Sequence, residues 1–386
     1  MAYTISGNLN SPAHTLVIDQ STWSIESVVL NSVGAYTMSS GITNGEKLVI
    51  GREVGTGYVI AFGNVYPIET DSFPGNIGLF GGNVDEEYFV CSLEYIAIPL
   101  AGNSVAFGDL AVARYAPGAT SNGTGNRGVW AGGAGDATFM DYVNMSATGN
   151  ATYFGELPVG ASDKSAVSNK TNNRGLFIGG STYIMEFPNF LPFNTIDYVT
   201  INSAGNATDF GDINGAKLGM ATVSNGANNR GVISGGHDQD MNSHNVIDYV
   251  TISTTGNASD FGDLLDVRTV AAGVDSGTND RGLFTAGYRP DGEGDFIFFN
   301  TIEYLTISTT GNAVSFGEII GNSRGVAMGV SNGTGNIGVF TLYNYMESEL
   351  GWYESVNIAT LGNSVDSGYI TTNYLIPGAA AGASNA

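Results

Sequence analysis

Two kinds of charged residue recur along the chain, and a ring of such residues could bind or transform a substrate. An arginine stands within an Asn/Asp-Arg-Gly run in four places, and an acid closes an aromatic-Gly-acid run in five. The arginines are Arg127, Arg174, Arg230 and Arg281, and the acids are Asp109, Glu156, Asp212, Asp263 and Glu318. Because each type occurs once per repeat, we interpret them as structural pairs, or as turn bonds between repeats, and not as a catalytic set.

Other candidates for chemistry are few. The three histidines are His14, His237 and His244, too scattered to predict a metal triad, although the last two share a loop with Asp238 and Asp240. No Ser/His/Asp order, catalytic carboxylate pair or phosphate-binding glycine loop stands out from the repeats. No group of acids with an Arg or Tyr is apparent that would break the repeat symmetry at an axis. The sequence therefore predicts a protein that is not an enzyme.

One loop has the oxygen donors that calcium prefers. Asp291, Glu293 and Asp295 alternate with glycines, which places several carboxylates close together. The ligand spacing of an EF-hand is missing, and a solvated acidic loop is the alternative. Calcium is therefore the one cofactor that the sequence leaves open; no other is predicted.

The unit that positions these residues is about fifty residues long. A Gly-Asn pair that leads into the aromatic-Gly-acid run begins at Gly102 and returns after 47, 56, 51, 55 and 51 residues, the last copy being degenerate. Periods of this size are typical of propellers and repeat arrays. The unit contains four short strands, exemplified by the acid-aromatic run at 248–252, with Gly/Asn/Ser turns and no amphipathic helix. This pattern predicts an all-β fold in which each unit is one propeller blade.

The layout of the unit resembles the kelch repeat. A small-residue strand, an apolar strand that ends in Gly-Gly, an acid-Tyr strand and a final strand follow one another in both. The run IDYVTISTTGNASDFGDL, residues 247–264, is also similar to repeats of kelch-type proteins of tailed bacteriophages. The resemblance covers about residues 73–386. One departure is the final strand, where kelch repeats usually have Trp and this chain has Phe, as at Phe261.

The two ends of the repeat region match each other. The first unit begins at its second strand, Asn76–Gly82, and so lacks a first strand. The C-terminal segment 372–386 resembles the segment that begins at Ala111, with Pro377 in the place of Pro117. A closed ring leaves no unpaired strand edge. The sequence therefore predicts that the C-terminal strand completes the first blade and closes a six-bladed propeller over residues 71–386.

Residues 1–70 lack the repeat and predict a small domain of short strands. The predicted strands are Tyr3–Gly7, Thr15–Asp19, Ile25–Leu30, Gly34–Met38, Lys47–Gly51 and Tyr58–Phe62. Their order is similar to that of transthyretin-like and carboxypeptidase-regulatory-like β-sandwiches. This resemblance implies a docking or anchoring domain. A seventh, degenerate blade is the alternative.

Composition limits the possible partners. The chain has 13 Lys and Arg against 36 Asp and Glu, a net charge of −23, which disfavours nucleic-acid binding. No apolar stretch is long enough for a transmembrane helix, and the first residues do not resemble a secretory signal. We expect neither nucleic acid nor membrane insertion. The single cysteine, Cys91, is expected to be a buried, inert thiol.

The loops between the second and third strands vary in length and composition, whereas the other turns are nearly constant. Alternate turns of an antiparallel blade lie on opposite faces, so the variable loops share one face. Loops on a rigid scaffold commonly carry recognition, and aromatic side chains are common anchors. The candidate residues for binding a partner or a glycan are Tyr183, Phe187, Phe190, Tyr288, Asp291, Phe296, Tyr343 and Tyr345. The alternative is that these aromatics only cover the blade edges.

The phage resemblance implies a virion protein on the particle surface. We expect a non-enzymatic structural and interaction protein, as a tail or fibre component that aids host adsorption. Its expected partners are other virion proteins, through residues 1–70, and a host glycan or receptor. A capsid decoration protein and a lectin-like propeller are the alternatives.

Overall fold

The computed structural model describes fourteen segments of the chain. They are residues 2–6, 13–19, 24–31, 76–85, 88–98, 102–134, 138–183, 190–269, 271–276, 279–293, 295–321, 328–342, 351–369 and 381–385. The chain divides into two units, Met1–Ser72 and Phe73–Ala386.

The described part of the first unit is one antiparallel sheet. It consists of β1 (Ala2–Ser6), β2 (Ala13–Asp19) and β3 (Ser24–Asn31), in the order β1-β2-β3. These strands overlap the first three that the sequence predicts. The other three predicted strands lie outside the described residues; they are Gly34–Met38, Lys47–Gly51 and Tyr58–Phe62. The backbone of His14 lies in β2, but its side chain is not among the described ones.

The described part of the second unit contains six four-stranded antiparallel sheets, as the sequence predicts, and these are the blades of a propeller. Blade 1 consists of β31 (Ala381–Ser384), β4 (Ile77–Asp85), β5 (Tyr88–Ala97) and β6 (Val105–Asp109). Blade 2 consists of β7 (Gly118–Ser121), β8 (Arg127–Ala131), β9 (Phe139–Asn144) and β10 (Thr152–Glu156). Blade 3 consists of β11 (Ser165–Ser168), β12 (Arg174–Ile178), β15 (Thr195–Thr200) and β16 (Thr208–Asp212).

The remaining three blades have the same strand order. Blade 4 consists of β17 (Leu218–Ser224), β18 (Arg230–His237), β19 (Val246–Thr251) and β20 (Ser259–Asp263). Blade 5 consists of β21 (Ala272–Ser276), β22 (Arg281–Thr285), β25 (Thr301–Thr306) and β26 (Val314–Glu318). Blade 6 consists of β27 (Met328–Ser331), β28 (Ile337–Leu342), β29 (Trp352–Asn357) and β30 (Val365–Tyr369).

Within the described residues, two blades carry an extra hairpin between their second and third strands. These hairpins are β13 (Ser181–Tyr183) with β14 (Phe190–Pro192), and β23 (Tyr288–Pro290) with β24 (Phe296–Phe298). The helices within the described residues are four 3₁₀ turns, Gly123–Gly125, Lys170–Asn172, Gly226–Asn228 and Gly333–Gly335. None of them could cross a membrane.

The first strands of the six blades surround a common axis. Each contacts the first strand of the next blade, in the cyclic order β7, β11, β17, β21, β27, β31 and back to β7. In blade 1 this innermost strand is β31, whose Ala381 pairs with Gly81 of β4. The six sheets therefore form a ring, in which the C-terminal and N-terminal strands of the propeller share one blade.

Burial explains why the strands differ in composition. The second strand of a blade is buried on both faces because neighbouring blades cover both, and it is accordingly a continuous apolar run, such as Val129-Trp130-Ala131. The fourth strand is exposed at most positions and buries one aromatic residue, such as Phe154. Apolar content therefore falls from the inner strands to the rim.

In blades 3, 4 and 5 the glycine after the recurrent arginine lies where two blades approach closely. A Cβ atom at Gly282 would lie 2.5 Å from Val223 Cγ2 of blade 4, and one at Gly175 would lie 2.8 Å from Thr120 Cγ2 of blade 2. A larger residue would push the neighbouring innermost strand away. Glycine at this position thus follows from blade packing.

The aromatic residues of the third and fourth strands pack edge to face within five blades. Ring centroids lie 5.9–6.3 Å apart in the pairs Tyr95–Phe107, Tyr142–Phe154, Tyr198–Phe210, Tyr249–Phe261 and Tyr304–Phe316. Edge-to-face packing at this spacing is favourable. In blade 6 both rings are replaced together, and Ser355 and Ser367 join by a 2.7 Å hydrogen bond between their hydroxyls.

Candidate functional site

The two faces of the ring differ, and the candidate residues lie on one of them. The face that we call the loop face carries the connections between the second and third strands, with both extra hairpins. Each innermost strand begins there, as shown by the isolated bridges Ser162–Ser181 and Thr269–Tyr288. The opposite face, the turn face, carries the four 3₁₀ turns. The variable loops of the sequence therefore share one face with the start of the innermost strands.

The structure brings some of the predicted aromatic residues into clusters. Tyr288 contacts Phe296 edge to face at 4.9 Å, and Phe298 lies 5.8 Å from Tyr288. Phe190 packs edge to face on His237 of blade 4 at 5.8 Å. These rings pack on one another, so part of each aromatic surface is used within the protein, in line with the alternative that the loop aromatics cover the blade edges.

Part of this aromatic surface is exposed to solvent. Phe296 is 42% exposed and Ile297 39%, while Leu191 and Phe89 are each 43% exposed. Large apolar side chains exposed on loops of one face are the usual anchors of a recognition surface. Phe187, Tyr343, Tyr345 and the side chain of Tyr183 lie outside the described residues.

The acidic loop uses its first carboxylate internally. Asp291 Oδ1 accepts hydrogen bonds from the backbone N–H groups of Glu293 at 2.7 Å and Asp295 at 3.0 Å. Its role in the described structure is to shape the turn. No group of three or more His, Cys, Asp or Glu side chains suited to a metal occurs within the described segments.

The recurrent arginines join neighbouring blades. Arg230 lies over the Tyr249 ring at 4.6 Å and donates hydrogen bonds to the carbonyl oxygens of Ile307, at 3.2 Å, and Ser308, at 2.7 Å, in blade 5. The same stacking and the same bond to the next blade recur at Arg127, Arg174 and Arg281. These are turn bonds between blades.

The recurrent acids do not pair with these arginines. No ion pair in the described segments joins Arg127, Arg174, Arg230 or Arg281 to Asp109, Glu156, Asp212 or Asp263. The prediction of Arg–acid pairs is therefore wrong. The arginine pairs with a tyrosine ring instead, and blade 6, which has Ile337 in place of the arginine, also has Ser355 in place of the tyrosine.

The recurrent acids mark a junction that the backbone makes. The N–H of Asp263 donates to Asn312 Oδ1 of blade 5 at 3.1 Å, and the carbonyl oxygen of Asp263 accepts from the N–H of Ala313 at 2.8 Å. A Cβ atom at Gly262 would lie 2.5 Å from the carbonyl oxygen of Gly311. The same junction recurs around the ring, including Tyr369 of blade 6 with Asn103 of blade 1. It explains why Gly-Asn and aromatic-Gly-acid recur together.

A second set of acids is buried and carries ion pairs that the sequence analysis missed. Each lies on the third strand of its blade, before the aromatic residue. The pairs are Arg114–Asp141 at 2.8 Å, Lys164–Asp197 at 3.5 Å, Lys217–Asp248 at 3.4 Å, and Arg268–Glu303. In blade 6 the corresponding acid, Glu354, accepts hydrogen bonds from the N–H groups of Ile320 and Gly321. A cation shortly before the first strand was the sequence signal for these pairs.

Cys91 is half-buried rather than fully buried. Its Sγ lies 3.6 Å from Asp109 Oδ1, and burial, with the nearby Asp109 charge, raises the pKa of the thiol. A raised pKa leaves little thiolate at neutral pH, so the thiol is a weak nucleophile.

A cavity of about 200 Å³ lies on the axis, between the innermost strands. Most of its lining consists of small residues, and the charged residues among them are Asp163, Lys164, Lys170 and Asp275. Lys170 Nζ lies 3.7 Å from Asp275 Oδ1 at the turn face, in a contact between blades 3 and 5. Asp163 precedes β11 and therefore lies at the loop face. Blades 3 and 5 thus break the repeat symmetry at the axis, which the sequence analysis did not detect.

Comparison with known proteins establishes only the fold. No protein-family profile and no curated protein sequence matches the chain. Among solved structures 390 chains match, so the fold is widespread and indicates no particular function. The structure of YjhT superimposes with a TM-score of 0.51 at 12% sequence identity, covering 68% of this chain and 86% of YjhT. At this identity the similarity supports a β-propeller and nothing about activity.

Proposed function

We propose that this chain is a non-enzymatic interaction protein of a bacteriophage particle, which displays the propeller on the particle surface as a tail or fibre component and contacts the host. In this proposal the loop face contacts the host, and residues 1–70 dock to other virion proteins. A capsid decoration protein is the alternative within the same class. The phage setting rests on the resemblance of the repeats to kelch-type phage proteins.

The observation that carries the interaction role is the exposed apolar surface of the loop face. Phe89, Leu191, Phe296 and Ile297 are exposed on hairpin strands at the loop face of a ring whose opposite face has short, nearly constant turns. Their loops extend from strands that are fixed by buried ion pairs and junctions between blades. A rigid scaffold reduces the entropy that is lost when such loops bind a partner.

The non-enzymatic character is supported by how the recurrent charged groups are used. The four arginines stack on tyrosines and bond to the next blade, and the buried acids hold cations within their own blades. These groups stabilise the ring, so they are not available to a substrate.

The particle assignment is tested by mass spectrometry of virions purified on a density gradient. The chain should sediment with the capsid and tail proteins and remain with them after a high-salt wash. Its absence from the particles would end the assignment. Immunogold labelling then separates the two positions, since tail labelling supports a fibre component and head labelling supports decoration.

The contact surface is tested by a variant of the loop face. The double substitution Leu191→Ser and Phe296→Ser should reduce host adsorption at least about tenfold, because exposed aromatic and aliphatic anchors dominate such interfaces. The matched control is Val365→Ser, which changes a residue 58% exposed on the outer strand of blade 6. Equal adsorption by both variants would contradict the role of the loop face.

Glycan binding is the second candidate, favoured by the Tyr288, Phe296 and Phe298 rings beside the acidic loop. Aromatic faces stack on sugars, and neighbouring polar groups fix their orientation. A glycan array with the purified propeller tests this candidate. Binding to one sugar class that disappears in Phe296→Ser would support a lectin, whereas no binding to any glycan leaves a protein partner as the occupant.

A further inference from the structure

The four buried ion pairs of the propeller use two different cations. An arginine holds the acid in blades 2 and 5, whereas a lysine holds it in blades 3 and 4. An arginine stays protonated in a protein, but a lysine that is removed from water can lose its proton, and the neutral amine is a nucleophile. The two lysine pairs therefore have access to a chemistry that the two arginine pairs lack.

The residue opposite the buried acid changes together with the cation. In blades 3 and 4 the fourth strand places a second aspartate directly opposite the buried acid, whereas blades 2 and 5 have a tyrosine and a serine there. The opposed pairs are Asp197–Asp209, Asp248–Asp260, Asp141–Tyr153 and Glu303–Ser315. Residues directly opposite in an antiparallel pair have Cβ atoms about 4.5–5.5 Å apart. Among the four blades with a buried ion pair, lysine thus occurs where two carboxyl groups are neighbours.

In blade 3 the lysine and the acid are removed from water, but their contact is loose. The side chains of Lys164 and Asp197 are 1% and 6% exposed. Lys164 Nζ lies 3.5 Å from Asp197 Oδ2, farther than the about 2.7–2.9 Å of a strong charge-assisted hydrogen bond. Nζ also donates to the carbonyl oxygen of Gly179 at 3.0 Å, and this bond holds the nitrogen beside the carboxyl group.

The surroundings of this pair favour the uncharged form of both groups. Burial lowers the pKa of Lys164, against the charge of Asp197. Burial raises the pKa of Asp197 against the opposing charge of Lys164, and the charge of Asp209 raises it further. Transfer of one proton within the pair gives an amine beside a carboxylic acid. In blade 4, by contrast, Asn214 donates a 2.6 Å hydrogen bond to Asp248 Oδ1, which stabilises the ionised carboxylate.

We propose that Lys164 and Asp197 join in an intramolecular amide bond, with Asp209 as the proton carrier. The neutral Nζ attacks Cγ of the protonated Asp197 carboxyl group, and an N–C bond forms. The Asp209 carboxylate accepts a proton from the nitrogen and passes it to the departing hydroxyl group. The C–O bond breaks, one water molecule leaves, and Asp209 is a carboxylate again. Nothing is oxidised or reduced, so no co-reactant is needed.

The fold supplies what this reaction lacks in solution. Groups that are held in a reactive arrangement behave as if their concentration were about 10⁵ M or more, and a site that excludes water favours the condensed product. The bond would tie the residue before β11, the innermost strand of blade 3, to β15 of the same blade. The proposal does not depend on the phage assignment, because it concerns the covalent structure of the ring itself.

The test is intact-mass spectrometry of the purified full chain, followed by tandem mass spectrometry of its tryptic peptides. The chain should be lighter than its sequence requires by the mass of one water molecule. Trypsin should not cut after Lys164, and the peptides that contain Lys164 and Asp197 should be recovered as one joined species. A mass equal to that of the unmodified sequence would overturn the proposal. A loss of water located elsewhere, such as a succinimide at Asp291-Gly292, would overturn it as well.

Lys164→Arg is the first test variant, because blades 2 and 5 show that arginine forms the same kind of ion pair. The variant should fold, and its mass should equal that of its unmodified sequence, since the guanidinium stays protonated. The water loss of the wild type should therefore disappear. A water loss that persists in Lys164→Arg would show that another site is responsible.

The second variant, Asp209→Asn, keeps both joined residues and removes the proton carrier. The bond should form at least about a hundredfold more slowly, a typical effect of losing general acid–base catalysis, so freshly purified protein should be largely unlinked. Asp212→Asn is the matched control, because it removes a partly exposed acid from the same strand and changes the net charge equally. Linkage at the wild-type rate in Asp209→Asn, or equal slowing in both variants, would overturn the role of Asp209.

Discussion

At the scale of single residues, Arg230 shows how a recurrent charge serves the fold. Its guanidinium is planar, so it can lie over the Tyr249 ring and still direct N–H donors to two carbonyl oxygens of blade 5. Spacing alone suggested an acidic partner, because opposite charges at a constant interval look like an ion pair. The true partner belongs to the same repeat, but only the folded sheet places the two side chains together.

His237 should make the stability of the propeller depend on pH. The ring is buried, and its Nδ1 lies 2.7 Å from Thr269 Oγ1. Burial lowers the pKa to about 4, so the unfolded chain takes up the proton near pH 6.5 and the folded protein does not until about pH 4. The contribution of His237 to stability is therefore complete above pH 6.5 and falls by up to about 3 kcal/mol as the pH drops to 4.

The measurement is urea unfolding of the wild type and His237→Gln between pH 4 and 8. The stability difference between the two proteins should shrink toward low pH. Asp163, whose raised pKa has the opposite effect, is common to both and cancels. His244→Gln is the control, since His244 is 34% exposed and bonded to Asp238. A pH-independent difference would contradict a buried neutral imidazole.

At the scale of elements, the outer strand of each blade is joined to the turn of the next. Gly262 and Gly311 let the two backbones approach, and Asn312 and the Ala313 N–H complete the junction. The acid that closes the repeat motif contributes its backbone to this junction. Its side chain is partly exposed and free of ion pairs in the described residues, for example at Asp263.

The junction predicts a contrast between two substitutions. Asn312→Ala removes the acceptor for the Asp263 N–H and should lower the free energy of unfolding by about 1 kcal/mol. Asp263→Asn keeps the backbone bond and should change stability by less than about 0.5 kcal/mol. Chemical denaturation measures both. A large loss in Asp263→Asn with none in Asn312→Ala would restore the Arg–acid interpretation.

The buried ion pairs differ from the backbone junctions between blades, because their charged groups are removed from water. Arg268 and Glu303 are both fully buried, and Arg268 also lies over Phe299 at 4.8 Å. Glu303→Gln leaves a buried guanidinium without its counter-ion and should cost about 3–5 kcal/mol. The double substitution Arg268→Met and Glu303→Met should lower the free energy of unfolding by clearly less than the summed losses of Arg268→Met and Glu303→Met made singly. Additive losses in this double-mutant cycle would show that the two side chains do not act as a pair.

At the scale of the whole molecule, stability depends on the ring being complete. The innermost strand of blade 1, Ala381–Ser384, is far in sequence from the strand with which it pairs. Asn385 adds contacts on both sides, since its Oδ1 accepts the Ile77 N–H at 2.8 Å and its Nδ2 donates to Asn126 Oδ1 at 3.1 Å. Without this strand, β4 would present an unpaired edge at the axis.

A chain that ends at residue 380 should therefore melt more than about 10 °C below the full chain, since several kcal/mol of packing and hydrogen bonding are lost. Asn385→Ala removes the side-chain hydrogen bonds of Asn385 and keeps the strand, so its melting temperature should fall between those of the truncated and the full chain. Circular dichroism and calorimetry provide the measurement. A truncated chain that melts like the full chain would show that the ring does not depend on this strand.

The sequence alone determined the fold class, the number of blades and the order of strands, because these follow from local signals. Strand patterns and glycine turns repeat with a fixed period, and a period is visible without coordinates. It also located the variable loops on one face. The tertiary structure decided which charged groups meet. Lys170 of blade 3 approaches Asp275 of blade 5, because a ring brings distant blades together at its axis, and no local pattern in the chain records such a meeting.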